Sequence, residues 1–235
     1  MTPSPIILLI DKLQAFSFAE IPLVYYFIGV SLILPKIPYI GKVFNIINTL
    51  IHEFGHAFMS LLLQGTVHSI EIFGDTSGNA TTQTKSKFSA FLVSVSGYLF
   101  ASSFAWLSFY LYYAGLGYYF IAGLSILFFV ILLLWVRNLF GLIWILLFCG
   151  LNALLLYYGT SEWIDRVALF YATVLLTESV MSTLVLFYLS LFKHKESGDA
   201  YNLQKFTHIP AFIWACGFVA YAGLVAYQVF LNFIL

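Results

Sequence analysis

The stretch NIINTLIHEFGHAFMSLLL, Asn45 to Leu63, places two histidines and a glutamate inside a segment otherwise built for lipid. His52 and His56 are four residues apart, so a helix sets them on one face, about one turn from each other. That spacing lets both imidazoles reach one ion, as in the His-Glu-x-x-His pattern of zinc hydrolases. Glu53 follows the first histidine and points to the side, where it can hold a metal-bound water. Gly55 leaves the helix bare beside the histidines, at a propensity cost of about 1 kcal/mol. A gap there admits another backbone.

The pattern alone is common in soluble helices. Its setting gives it weight here. A charged side chain at the centre of a membrane helix costs about 2.5–3.5 kcal/mol on insertion scales, and such residues usually face a polar cavity. Three ionisable groups within one such segment are hard to explain as packing. A bound divalent cation offsets the cost for all three.

Composition puts the segment in a membrane. Of 235 residues, 62% are hydrophobic and only 9% charged, too few charges to cover a soluble domain of this length. Lys+Arg and Asp+Glu balance at 10 each, so nothing points to nucleic acid. Cys149 and Cys216 lie inside apolar runs and read as reduced thiols. Apolar runs of spanning length fall at about 21–35, 44–63, 88–114, 117–136, 139–158, 164–192 and 209–234. The expected fold is therefore an all-α polytopic membrane protein, one domain over 1–235, with about seven transmembrane helices. Residues 5–18, carrying Asp11 and Lys12, are too short to span and read as an interfacial helix rather than a signal peptide.

Loop charge orients the bundle. Alternating the spans puts Lys12, Lys85, Lys87, Arg137, Lys193, Lys195 and Lys205 on one side, against Lys36, Lys42 and Arg166 on the other. The excess marks the first side, with the N-terminus, as cytosolic. The plasma (inner) membrane is the expected location. The loop from Gly65 to Lys87 differs from the others. Val67, Ser69, Glu71 and Phe73 alternate with His68, Ile70 and Ile72, then come a turn-rich Gly74–Gly78 and a threonine-rich run, Ala80–Thr84. This predicts a short β-hairpin between the second and third spans, lying against the membrane surface.

The HEFGHAF core with LLLQGTVHSIEIFGDTSGNATT after it, VSVSGYLFAS at 93–102, VRNLFG at 136–141 and SGDAYNLQKFTHIPAFIW at 197–214 resemble the M50B-like branch of the site-2-protease family, the intramembrane zinc metalloproteases. The resemblance implies a helical membrane fold, one Zn²⁺, and proteolysis within or near the bilayer. The substrate it implies is a membrane-embedded or membrane-anchored protein.

A catalytic zinc usually takes three protein ligands plus water. In better-known members the third is an aspartate at a helix start, among small residues. Ser197-Gly198-Asp199-Ala200 has comparable surroundings, though no glycine follows the aspartate and the preceding loop is charged. Asp199 is thus the candidate third ligand; the other reading is a helix N-cap. Glu178, mid-span in VLLTESVMSTL, is the rival, or else pairs with a polar group such as Asn152. Asn138 is a candidate substrate-binding residue, its amide suited to a substrate carbonyl or an oxyanion, while Arg137 beside it suits an interfacial anchor. His68, His194 and His208 read as solvated, and Asn45 and Asn48 as contacts to neighbouring helices. The expected roles are Glu53 as general base and His52, His56 and Asp199 as zinc ligands. The alternative is a catalytically silent adaptor or chaperone of the same fold that binds membrane proteins.

Overall fold

The computed structural model of the chain describes residues 22–37 and 40–235. Within them the chain is mostly helical, with one small antiparallel sheet. Helix α1 runs Leu23–Ile33, and α2, which carries the histidines, runs Ile40–Leu62. The strands β1 (Thr66–Ile72) and β2 (Gly78–Gln83) follow, then α3 (Lys87–Tyr113), α4 (Gly117–Leu134), α5 (Leu139–Tyr158) and α6 (Ser161–Phe192). A short polar helix, α7 (Gly198–Thr207), leads into α8 (Ala211–Val229), which runs on as a wider turn to Ile234.

Five helical stretches are long and apolar enough to cross a membrane: α3, α4, α5, α6 and Ala211–Ile234. Helix α1 is apolar, but its 11 residues rise only about 16 Å, half a hydrocarbon core. Helix α2 has 23 residues and is strongly two-sided, with Asn45, Asn48, His52, Glu53 and His56 breaking its apolar character. The helix expected over residues 5–18, with Asp11 and Lys12, lies outside the described residues.

Helix ends follow local chemistry. Ser86 caps α3 by accepting from the Ser89 amide, and Thr160 caps α6 by accepting from Trp163. Small residues set how closely the helices approach. Along α3, Gly97, Ala101 and Ala105 are buried at four-residue spacing, the pattern that lets membrane helices pack backbone to backbone. Ser96 Oγ donates to the Gly55 carbonyl at 3.0 Å and ties α3 to α2. Asn152 does not reach Glu178. Its Nδ2 donates to Ser125 Oγ at 3.1 Å and its Oδ1 accepts from Tyr171 at 2.9 Å, which joins α4, α5 and α6.

The hairpin forms between α2 and α3, with Ile70 facing Ala80 and Ile72 facing Gly78. A bulge between Val67 and Ser69 breaks the expected alternation: Ile70 and Ile72 are buried, but His68, expected on their face, is exposed. The outer edge of β1 is covered. Its Ile70 amide donates to the Trp135 carbonyl at 2.8 Å, and Val136 pairs alongside. Ile70 and Ile72 thus turn their backbone groups away from β2. In an antiparallel pair their partners Ala80 and Gly78 then turn theirs outward too. Among the described residues, β2 keeps the sheet's open edge.

Candidate metal centre

The four-residue spacing on α2 brings the two imidazoles edge to face, with Nε2 atoms 3.1 Å apart. Asp199 arrives from the first turn of α7, where Gly198 takes a positive φ of 42° as the chain enters the helix. Its Oδ2 lies 3.3 Å from His52 Nε2 and 3.2 Å from His56 Nε2. The carboxylate faces the histidines, and α7 has no side-chain N-cap. Of the two candidate third ligands, Asp199 joins the histidine cluster. Glu178 does not.

These distances can be tested against a cation. Bonds of 2.0–2.1 Å in a tetrahedral zinc site hold neighbouring ligand atoms about 3.3–3.4 Å apart. The three observed edges fall within a few tenths of an ångström of that. His56 Nδ1 lies 2.7 Å from the Val93 carbonyl, so it carries the proton and leaves the Nε2 lone pair aimed at the triangle. A proton shared between two corners would satisfy one edge of the triangle only. A central cation satisfies all three atoms at once, so the donor set fits zinc. Burial alone would raise the Asp199 carboxyl, but the adjacent His56 and His52 outweigh it and hold it well below the usual carboxylate range.

Glu53 sits beside the triangle, 6% exposed. The Ala80 backbone amide, which faces out of the sheet, reaches its carboxylate. Thr49 Oγ1 donates to the Thr76 carbonyl at 2.9 Å and pins the hairpin turn over α2. Gly78 is a close-approach glycine: a Cβ there would lie 2.7 Å from Glu53 Cγ. A cavity of about 790 Å³ opens onto these groups, lined by the cluster, Glu53, the hairpin turn and a stripe of α6 that includes Glu178.

Asn138 does not line this cavity. Its Nδ2 donates to the Ile72 carbonyl at 2.6 Å and its Oδ1 faces the Ile72 amide at 3.3 Å. The amide expected to meet substrate is spent on holding β1. His68, His194 and His208 are exposed, as expected.

Sequence reasoning missed three contributors on α3. A Cβ on Gly97 would lie 2.5 Å from His56 Nε2 and 2.6 Å from His52 Cε1, so the imidazoles rest on bare backbone. The gap anticipated at Gly55 is filled by Gly97 Cα and Phe100. Val93 supplies the carbonyl for His56. Tyr98 packs edge-on against the His52 ring, centroids 4.4 Å apart. The small-residue run VSVSG was the available signal, but it does not say which glycine meets which helix.

The model of the family described as Peptidase M50B-like matches residues 23–229. No curated protein and no solved structure matches the chain.

Proposed function

This integral membrane protein belongs to the M50B-like peptidase family, and from that premise we propose that it is an intramembrane zinc metalloprotease acting on membrane-embedded or membrane-anchored proteins. The observation that carries the reading is the triangle of His52 Nε2, His56 Nε2 and Asp199 Oδ2, with Glu53 beside it and a cavity in front. The two histidines and Asp199 would hold Zn²⁺. When bound, zinc polarises a water and a peptide carbonyl and lowers the water's pKa.

The chain's own residues supply the rest. Glu53 takes the proton from the attacking water and returns it to the leaving amine. Val93 holds the His56 ring in the tautomer that leaves Nε2 free. A substrate helix must unwind before a carbonyl is accessible. The open edge of β2 is the natural receiver for the unwound strand, by β-augmentation. The outward backbone groups of Gly78 and the outward Ala80 carbonyl support this, because a strand added there runs beside Glu53, which holds the Ala80 amide. The reading includes a single domain of seven spans, counting the short apolar α1 and the polar-faced α2 with the five long helices, with a cytosolic N-terminus in the plasma (inner) membrane.

The test is metal content and cleavage in one preparation. Purified protein should contain about one zinc and cut a membrane-inserted peptide. Glu53→Gln should keep zinc and lose cleavage, because the ligands are untouched. A wild-type rate in Glu53→Gln sinks the hydrolase mechanism. Zinc binding and substrate capture without cleavage in the wild type would support the silent adaptor instead.

A further inference from the structure

Glu178 is left without a role by the reading above. It is half-buried on α6 in the wall of the catalytic cavity. Among the described residues it has neither a hydrogen-bond nor an ion-pair partner. The described basic side chains, Lys85, Lys87, Arg137, Arg166, Lys193, Lys195 and Lys205, sit in loops or near helix ends. A carboxylate at membrane depth is costly unless something meets it. A second polar group lining the cavity, on α2, is also unmet. Asn48 is 4% exposed, and among the described residues no group satisfies its amide oxygen.

The cavity has an axis. On α2 it is lined from Asn45 to His56 and on α6 from Glu178 to Leu189, about 16 Å along each helix. The zinc-ligand triangle is at one end on α2, and Asn48 is one turn from His52 towards the other. Below Glu178 the α6 stripe is largely aliphatic, with Met181, Val185 and Leu189. An acceptor at the end of an aliphatic wall fits a long apolar stem with a charged head, the shape of a lysine or arginine side chain. An ammonium or guanidinium has several donors, enough for a carboxylate and an amide oxygen lining the same cavity.

We propose that Glu178 and Asn48 form a specificity subsite that takes a basic side chain of the substrate segment, about two residues from the scissile bond. The offset follows from length: one helical turn is about 5.4 Å, and an extended strand advances about 3.3 Å per residue. The inference rests on the protease reading for its occupant, a substrate segment, but it concerns binding and is tested as binding. Charge-assisted hydrogen bonds at a desolvated site favour the basic residue by roughly tenfold or more.

The probe is a transmembrane leucine–alanine peptide with a central glycine pair. One lysine is moved through the positions beside that pair, and norleucine replaces it in the control. Binding to the full chain in lipid nanodiscs is read by fluorescence anisotropy, and cleavage of the same peptides by mass spectrometry. Wild-type protein should prefer lysine over norleucine by about tenfold at one position. The preference should fall to about one in Glu178→Gln and weaken in Asn48→Ala. Glu178→Arg should instead prefer a glutamate-bearing peptide, which a structural carboxylate does not predict. Equal binding of lysine and norleucine peptides at every position overturns the proposal, as does a preference that survives Glu178→Gln. Loss of zinc and of folding in Glu178→Gln marks a structural carboxylate and overturns it too. Lysine preference without cleavage sinks the protease reading alone, and cleavage without preference sinks the subsite alone.

Discussion

Gly97→Ala adds one methyl group against the candidate metal centre. The new Cβ would stand 2.5 Å from His56 Nε2 and 2.6 Å from His52 Cε1, where ordinary contact begins at 3.4 Å. Something must move by about 0.9 Å. The near side is α3 backbone, already held against α2 through Ser96 and Gly55, so the imidazoles give way. Coordination tolerates about 0.2 Å in ligand distance, several times less than the required shift. Perturbing what merely orients a ligand typically costs 10–100-fold in metal affinity. Displacing ligands directly should cost at least that, about 1.4–2.7 kcal/mol. Helix propensity pulls the other way, since alanine is favoured over glycine by about 1 kcal/mol. Gly97→Ala should therefore fold at least as well in α3 yet hold zinc at least tenfold more weakly. Chelator competition on purified protein, with circular dichroism for helix content, reads both. Gly123→Ala is the control, with no neighbour within 4 Å of its added Cβ. Unchanged zinc affinity in Gly97→Ala, or equal loss in both variants, refutes the close-approach argument.

Asp199→Ala should lose zinc while Glu178→Gln keeps it, by metal analysis of the two purified proteins, because only Asp199 joins the histidines. Asn138→Ala strips the partner from both backbone groups of Ile72. It should destabilise the hairpin by about 1–3 kcal/mol, seen as faster amide exchange at Ile70 and Ile72 with zinc retained. Tyr171→Phe leaves the Asn152 oxygen unpaired and should lower stability in detergent by about 0.6–1.7 kcal/mol, with metal content unchanged.

What the sequence exposed and what it hid divide along physical lines. Features with a period were legible. The apolar runs gave the long helices, and four-residue spacing gave the His52–His56 pair. Alternation with a turn-rich break gave the hairpin. Features set by contact between distant segments were hidden. Polarity marks Asn138 as notable, but only packing shows that Ile72 takes its amide. Asn152 and Glu178 are both polar groups in apolar helices, and the sequence does not say that Tyr171 and Ser125 reach Asn152 first. Gly97 is one of many small residues in membrane helices, and only its position over the imidazoles sets it apart. The bulge at His68 moves a side chain to the other face of a strand, and alternation has no signal for an extra residue.

The edges of the sheet explain why so small an element sits at the candidate metal centre. An open strand edge invites unwanted pairing, and most proteins cover or charge it. Here the two edges are treated differently. Trp135–Asn138 closes the edge of β1 with backbone bonds and one asparagine. Thr49 fixes the turn over α2. The edge left open is that of β2, and it lies against Glu53 so closely that only glycine fits at Gly78. Covering β1 therefore does more than protect it: among the described residues it leaves the β2 edge, beside Glu53, as the edge that the proposed strand addition would use. Asn48 and Glu178 line the same cavity from α2 and α6, and among the described residues neither the Asn48 amide oxygen nor the Glu178 carboxylate has a partner.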